Sequence, residues 1–160
     1  MEPPGIKSMS ALALDLASEA SRIAQFMGLP RWQSVDDLGL VARVQKGFPA
    51  ATAETVARRI DPRGSFLKAT DIIPKSTLHR REKDQRPLSQ DDSEKVLALS
   101  RVFSEALRIY HDDAAACGVF LTRPHPLLGR RAPVDLATES IAGADLVLKL
   151  LSKAEAGVAV

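Results

Sequence analysis

The densest chemistry in this 160-residue chain lies between Lys75 and Arg86, where Lys75, Arg80, Arg81, Lys83 and Arg86 face only two acids, Glu82 and Asp84. Among these cations stand Ser76, Thr77 and His79, short side chains that donate and accept hydrogen bonds. Cations dock on the phosphates of duplex DNA, and short polar groups reach base edges, so this pattern has the composition of a major-groove reader. The whole-chain balance is mild, with a net charge of +2 and a pI near 8.8. It is therefore the local concentration of charge that carries the reading. One Trp, one Tyr and five Phe supply no set of platforms for stacking single-stranded bases.

The remaining groups capable of chemistry do not assemble into a catalytic pattern. His79, His111 and His125 have no acid or nucleophile at a spacing that would make any of them a general base. Metalloprotease, phosphate-loop, nucleophile-elbow and dinucleotide signatures are all missing from the sequence. The acidic pairs Asp36-Asp37, Asp91-Asp92 and Asp112-Asp113 fall at expected helix starts, where carboxylates cap free amides and meet the positive end of the helix dipole. Cys117 is the single cysteine, in an apolar stretch from Ala114 to Phe120, and reads as a small buried hydrophobe in a reducing compartment. No catalytic residue, metal ligand or cofactor is expected. No apolar run approaches the roughly 20 residues of a membrane span, and Met-Glu-Pro-Pro-Gly does not open a secretory signal. A cytoplasmic protein without membrane contact is the expectation.

Helices have to position the basic segment, because Ala and Leu are abundant and no strand-like alternation of any length occurs. An N-terminal helix is expected from Ser10 to Met27, burying Leu12, Leu16, Ala20, Ile23 and Met27 and ending at Gly28. A second should start near Ser34–Asp37 with Leu38, Val41 and Val44 inward, and a third follows Pro49 with Ala53, Val56 and Ile60 inward. Asp61-Pro62-Arg63-Gly64 breaks the chain. Ser65 is expected to cap a helix of about two turns, and Pro74 to open the basic helix with Leu78 as its apolar anchor. Short helix, tight turn and polar basic helix make up the helix-turn-helix plan. The longest helix starts at Ser89 with Val96, Leu99, Phe103, Leu107 and Tyr110 as its stripe; short helices follow at Asp112 and Pro133. A final helix at about 140–153 should bury Ile141, Ala144, Leu148 and Leu151. The fold class is all-α.

Several segments, taken in order, resemble the Xre-type antitoxins of RES–Xre toxin–antitoxin systems, related to the MbcA and ParS antitoxins. They are Gly47-Phe48-Pro49, then Ile73 to Arg81, Leu88-Ser89 with the helix after it, Pro126-Leu127-Leu128-Gly129, Pro133 to Leu136, and Glu155 to Val158. The resemblance runs from about Gly47 to the C-terminus and implies an Xre/Cro-like helix-turn-helix domain, expected over 31–88, and a toxin-binding helical domain over 89–160; the N-terminal tail and helix over 1–30 lie outside it. It implies an antitoxin that neutralises a RES-domain toxin, one that consumes NAD or transfers ADP-ribose, by covering its active site. It further implies operator binding, for which the basic helix offers Lys75, Ser76, Thr77, His79, Arg80, Arg81 and Lys83, inside a larger toxin–antitoxin complex. A homodimer is expected because one helix-turn-helix has limited affinity and operators are commonly palindromic. Toxin contacts carried onto this chain are Arg130, Lys153, Glu155, Gly157, Val158 and Val160. Three positions depart from the family: Ile72 and Arg130 stand where it has glycines, and His125 where it has asparagine. Two other readings fit the residues, a stand-alone helix-turn-helix transcription regulator and a helical scaffold whose basic helix is only surface.

Overall fold

A computed structural model describes residues 19–157 of the chain. Residues 19–26 are helical (α1), followed by a 3-10 turn at Trp32–Ser34 and then α2 (Asp37–Lys46) and α3 (Ala51–Ile60). The short α4 (Ala69–Ile72) precedes α5 (Lys75–Lys83), and the 20-residue α6 (Gln90–Ile109) leads to α7 (Ala114–Thr122). A second 3-10 turn at Pro126–Leu128, α8 (Pro133–Glu139) and α9 (Ile141–Glu155) complete the chain. The fold is all-α, and the described residues contain one isolated bridge, His125 to Arg131, and no strand.

Helix α6 is the axis, packing on α2 and α3 on one side and on α7, α8 and α9 on the other. Val96, Leu99, Val102, Phe103 and Ala106 are essentially sealed from solvent along it. One continuous apolar core therefore runs from Ile23 to Leu151. Ser89 starts α6 by accepting the amide of Asp92 at 3.1 Å, with Asp91 and Asp92 in the first turn. Asp36 caps α2 through the amide of Gly39 at 2.7 Å, and Asp113 caps α7 through that of Ala116 at 3.0 Å. The expected roles at helix starts thus hold, and Asp113 is preceded by two left-handed residues, His111 and Asp112.

Helix α1 ends as expected: Gly28 adopts φ +69°, its amide donates to Gln25, and that of Leu29 reaches back to Ala24 at 2.9 Å. Ala20, Ile23 and Met27 are buried, while the expected cap Ser10 and the face residues Leu12 and Leu16 lie outside the described residues. Phe26 packs on Phe103 with ring centroids 5.4 Å apart, and Arg59 stacks over Phe26 while donating to the Gln25 and Phe26 carbonyls.

Three expectations are corrected. In α2 the buried pair is Leu40 and Val44, and Leu38 and Val41 face solvent, because packing on α6 selects the i, i+4 pair over the i, i+3 ladder. In α9 Ile141 is exposed and Leu148 only half-buried; Gly143, Ala144, Val147, Leu150 and Leu151 form the inward face. Ser65 caps nothing, and the two-turn helix shrinks to Ala69–Ile72. The buried Asp61 carboxylate takes the amides of Phe66 and Leu67 at 2.6 and 3.0 Å and holds that stretch in a turn.

Two glycines allow backbones to meet. Gly47 has φ +86°, and a Cβ there would lie 2.0 Å from the Leu88 carbonyl oxygen. This contact closes the loop where Leu88 donates to Phe48 at 2.8 Å and Phe48 donates to the buried Ser93 hydroxyl at 2.9 Å. At Gly143 a Cβ would lie 2.0 Å from the Leu136 carbonyl, so α8 and α9 pack closer than any side chain allows.

Candidate functional site

Helix α5 is held from beneath. Ile72 and Ile73 are buried in the link from α4, and Leu78 is the buried residue of α5 itself. Ile73 is extended and Pro74 sets the φ that begins the helix, so the turn forms without a left-handed residue. Ile72, which stands in place of the family's glycine, instead ends α4 with its side chain in the core. Lys75, Ser76, His79, Arg80 and Lys83 are all exposed and lie on two neighbouring ridges of α5. Thr77 and Arg81 are half-buried on the side of Leu78, and the Arg81 Nε is enclosed with no hydrogen-bond partner among the described residues. Of the seven residues expected at DNA, five therefore form a free polar and basic face, while two also serve packing.

Beside α5 the Asp61 turn fixes the end of α3. Burial pushes the Asp61 carboxyl pKa upward, yet amides of Phe66, Leu67, Arg63 and Ser65 outweigh this and hold it below the usual value. Asp61 lines a groove of about 530 Å³ together with Arg58, Lys68, Lys75, His79 and Glu82.

The second candidate region is built from α6 to α9. Arg108 donates to both Glu105 oxygens, at 2.9 and 2.7 Å, and to both Glu155 oxygens, at 2.7 and 2.6 Å. The hydrogen bonds it donates to Glu105 and Glu155 raise the Arg108 pKa, and the guanidinium lowers that of Glu155. Glu155, expected at the toxin, is thus the residue that fastens the end of α9 to α6. Lys153 is exposed on the last turn of α9. Gly157 turns away at φ +72°, with nothing within 4 Å of where its Cβ would stand. Val158 and Val160 lie outside the described residues.

Arg130 is exposed with φ +63°, the left-handed conformation that glycine favours. The family glycine thus has a conformational reason, and arginine costs about 1 kcal/mol there. His125 behaves as the family's asparagine would: its Nδ1 accepts the Leu127 amide at 3.2 Å and starts the 3-10 turn. Cys117 is fully buried, and burial first, then Asp113 and Asp112, push its pKa up to about 11. It is a packing residue, with no thiolate character near neutral pH. Groups of His, Cys, Asp and Glu that could hold a metal do not occur among the described residues, and no helix there is long and apolar enough to cross a membrane.

Several exposed apolar residues escaped the sequence reading. Leu127 on the 3-10 turn and Leu146 on α9 are 58% and 50% exposed and line a groove of about 520 Å³ with Lys149 and Lys153. Phase gave no signal for Leu146: it falls off the expected 141–144–148–151 stripe, but so do the buried Val147 and Leu150. A second hollow of about 700 Å³ lies between Tyr110, Phe120, Pro124 and Ala154.

Comparison with known proteins places this second region. Residues 105–157 match the family model of the antitoxin Xre/MbcA/ParS C-terminal toxin-binding domain. The chain is also 28% identical over 120 residues to "Antitoxin Xre" of Yersinia enterocolitica, covering 74% of this chain and 80% of that protein. The two matches agree with the resemblance read from the sequence and support an Xre-type antitoxin with a toxin-binding domain.

Proposed function

We propose that this chain, an Xre-type antitoxin by similarity, belongs to a type II toxin–antitoxin system and neutralises a RES-domain toxin that consumes NAD or transfers ADP-ribose. In this reading it is a binding protein without chemistry of its own. The observation that carries the proposal is the match of residues 105–157 to a toxin-binding domain. That stretch ends at a helix fastened by Arg108 to Glu155, followed by Gly157 at φ +72°. Small residues suit a narrow cleft, and Val158 and Val160 add apolar area once they are covered. The reading therefore assigns Arg130, Lys153, Gly157, Val158 and Val160 to the toxin interface, with Glu155 holding the tail in place.

The same reading gives residues 31–88 to operator DNA. Lys75, Ser76, His79, Arg80 and Lys83 present the cations and short polar groups that a duplex requires, with Thr77 and Arg81 along the packed edge. A homodimer follows from the twofold symmetry common to operators, and autoregulation from placing both activities in one chain.

Co-expression tests the antitoxin reading. The RES-domain protein of the same operon should arrest growth alone, and this chain should restore growth. Removing residues 156–160, which leaves the Arg108–Glu155 pair intact, should abolish rescue if the tail covers the active site. Arrest that persists beside the full, folded chain would reject the antitoxin reading. Full rescue by the shortened chain would reject the tail as the blocking element.

A further inference from the structure

We propose that the groove between the 3-10 turn Pro126–Leu128 and the second half of α9 seats the toxin, taking an apolar side chain flanked by carboxylates. This rests on the antitoxin reading above and adds to it the docking surface and the chemistry of the partner's face.

Leu127 and Leu146 flank the groove at 58% and 50% exposure, and Leu128 and Leu150 are buried residues beneath it. Leucines left open on either side of one groove keep apolar area in water, and covering them lowers the free energy. Lys149 and Lys153 stand one turn apart on the same wall, with Asp145 as the lone acid of the lining. Two other cations of this region are paired within the chain, Arg108 with Glu105 and Glu155 and Arg131 with Glu139, while Arg123 and Arg130 add further positive charge without an ion pair among the described residues. Neither lysine has an ion-pair partner among the described residues, so the groove offers uncommitted positive charge beside apolar surface. An apolar knob ringed by Asp or Glu is the complement of that surface. The groove also lies inside the stretch matched to the toxin-binding domain, which α2 with its exposed Leu38 and Val41 does not.

The test measures binding kinetics of the purified full chain on the immobilised RES-domain protein of its operon, at low and high salt. Leu146→Glu should weaken Kd at least about tenfold, mainly by faster dissociation. Lys149→Glu with Lys153→Glu should slow association about tenfold at low salt and flatten its salt dependence. Leu38→Glu alters a leucine 79% exposed outside the matched stretch and should leave binding within twofold of the parent chain. Circular dichroism checks each fold, and Leu127→Glu replaces Leu146→Glu if that variant does not fold. Parent-like binding by the folded groove variants, or equal loss in Leu38→Glu, would overturn the groove while leaving the antitoxin reading standing. Failure of the parent chain itself to bind would overturn both.

Discussion

At Asp61 the chain buries a carboxylate, 5% exposed, with no ion-pair partner among the described residues, and satisfies it with backbone amides. The folded pKa lies below that of the unfolded chain, so the folded state binds the proton less readily. Its stabilisation is thus complete above the unfolded value near 4 and is lost as pH falls through the lower folded value. Asp61→Ala leaves amides of Phe66 and Leu67 without their acceptor and should cost about 1–3 kcal/mol at pH 7 by urea unfolding. The gap to the parent chain should shrink below about pH 4; a gap unchanged at pH 3 would contradict the role. From the sequence this segment was legible only as a breaker. What hid the rest is that an aspartate accepting amides five and six residues ahead looks like any loop acid until the chain is folded. Arg130 is the reverse case: the family's glycine flagged the position, and the left-handed backbone supplies the reason.

Element starts were legible where chemistry is local. Asp36, Ser89 and Asp113 cap their helices from positions that a reader of spacing can find. Which face turns inward was less legible, because a partner helix decides between overlapping apolar ladders, as α2 and α9 both show. Helix α5 was readable because its lone apolar residue, Leu78, left no choice of face. That face leads to a prediction at this scale. Arg80→Ala with Lys83→Ala removes two exposed cations without touching Leu78. Operator binding should weaken, and the slope of log affinity against log salt should fall by about 2 if each cation meets one phosphate. Fluorescence anisotropy across a salt series reads this directly, and an unchanged slope would favour a scaffold whose α5 is only surface.

Across the whole molecule, α6 joins what the sequence divided near residue 88 into one core reaching from Ile23 to Leu151. The backbone contacts at Gly47 and Gly143 tighten that core from both ends; Gly47 stands in a segment of the resemblance, whereas Gly143 belongs to no motif. The candidate toxin surface was legible at its tail, through resemblance, and illegible at its groove, because Leu127 and Leu146 come together only when α9 packs beside the 3-10 turn. On the antitoxin reading proposed above, the work of this chain is to hold another protein inactive. The direct measurement is NAD turnover by the purified RES-domain protein of its operon, titrated with the purified full chain. Turnover should fall to background at a fixed stoichiometry and return when the chain carries Leu146→Glu or lacks residues 156–160. Turnover undiminished at a large excess of the folded chain would contradict the account.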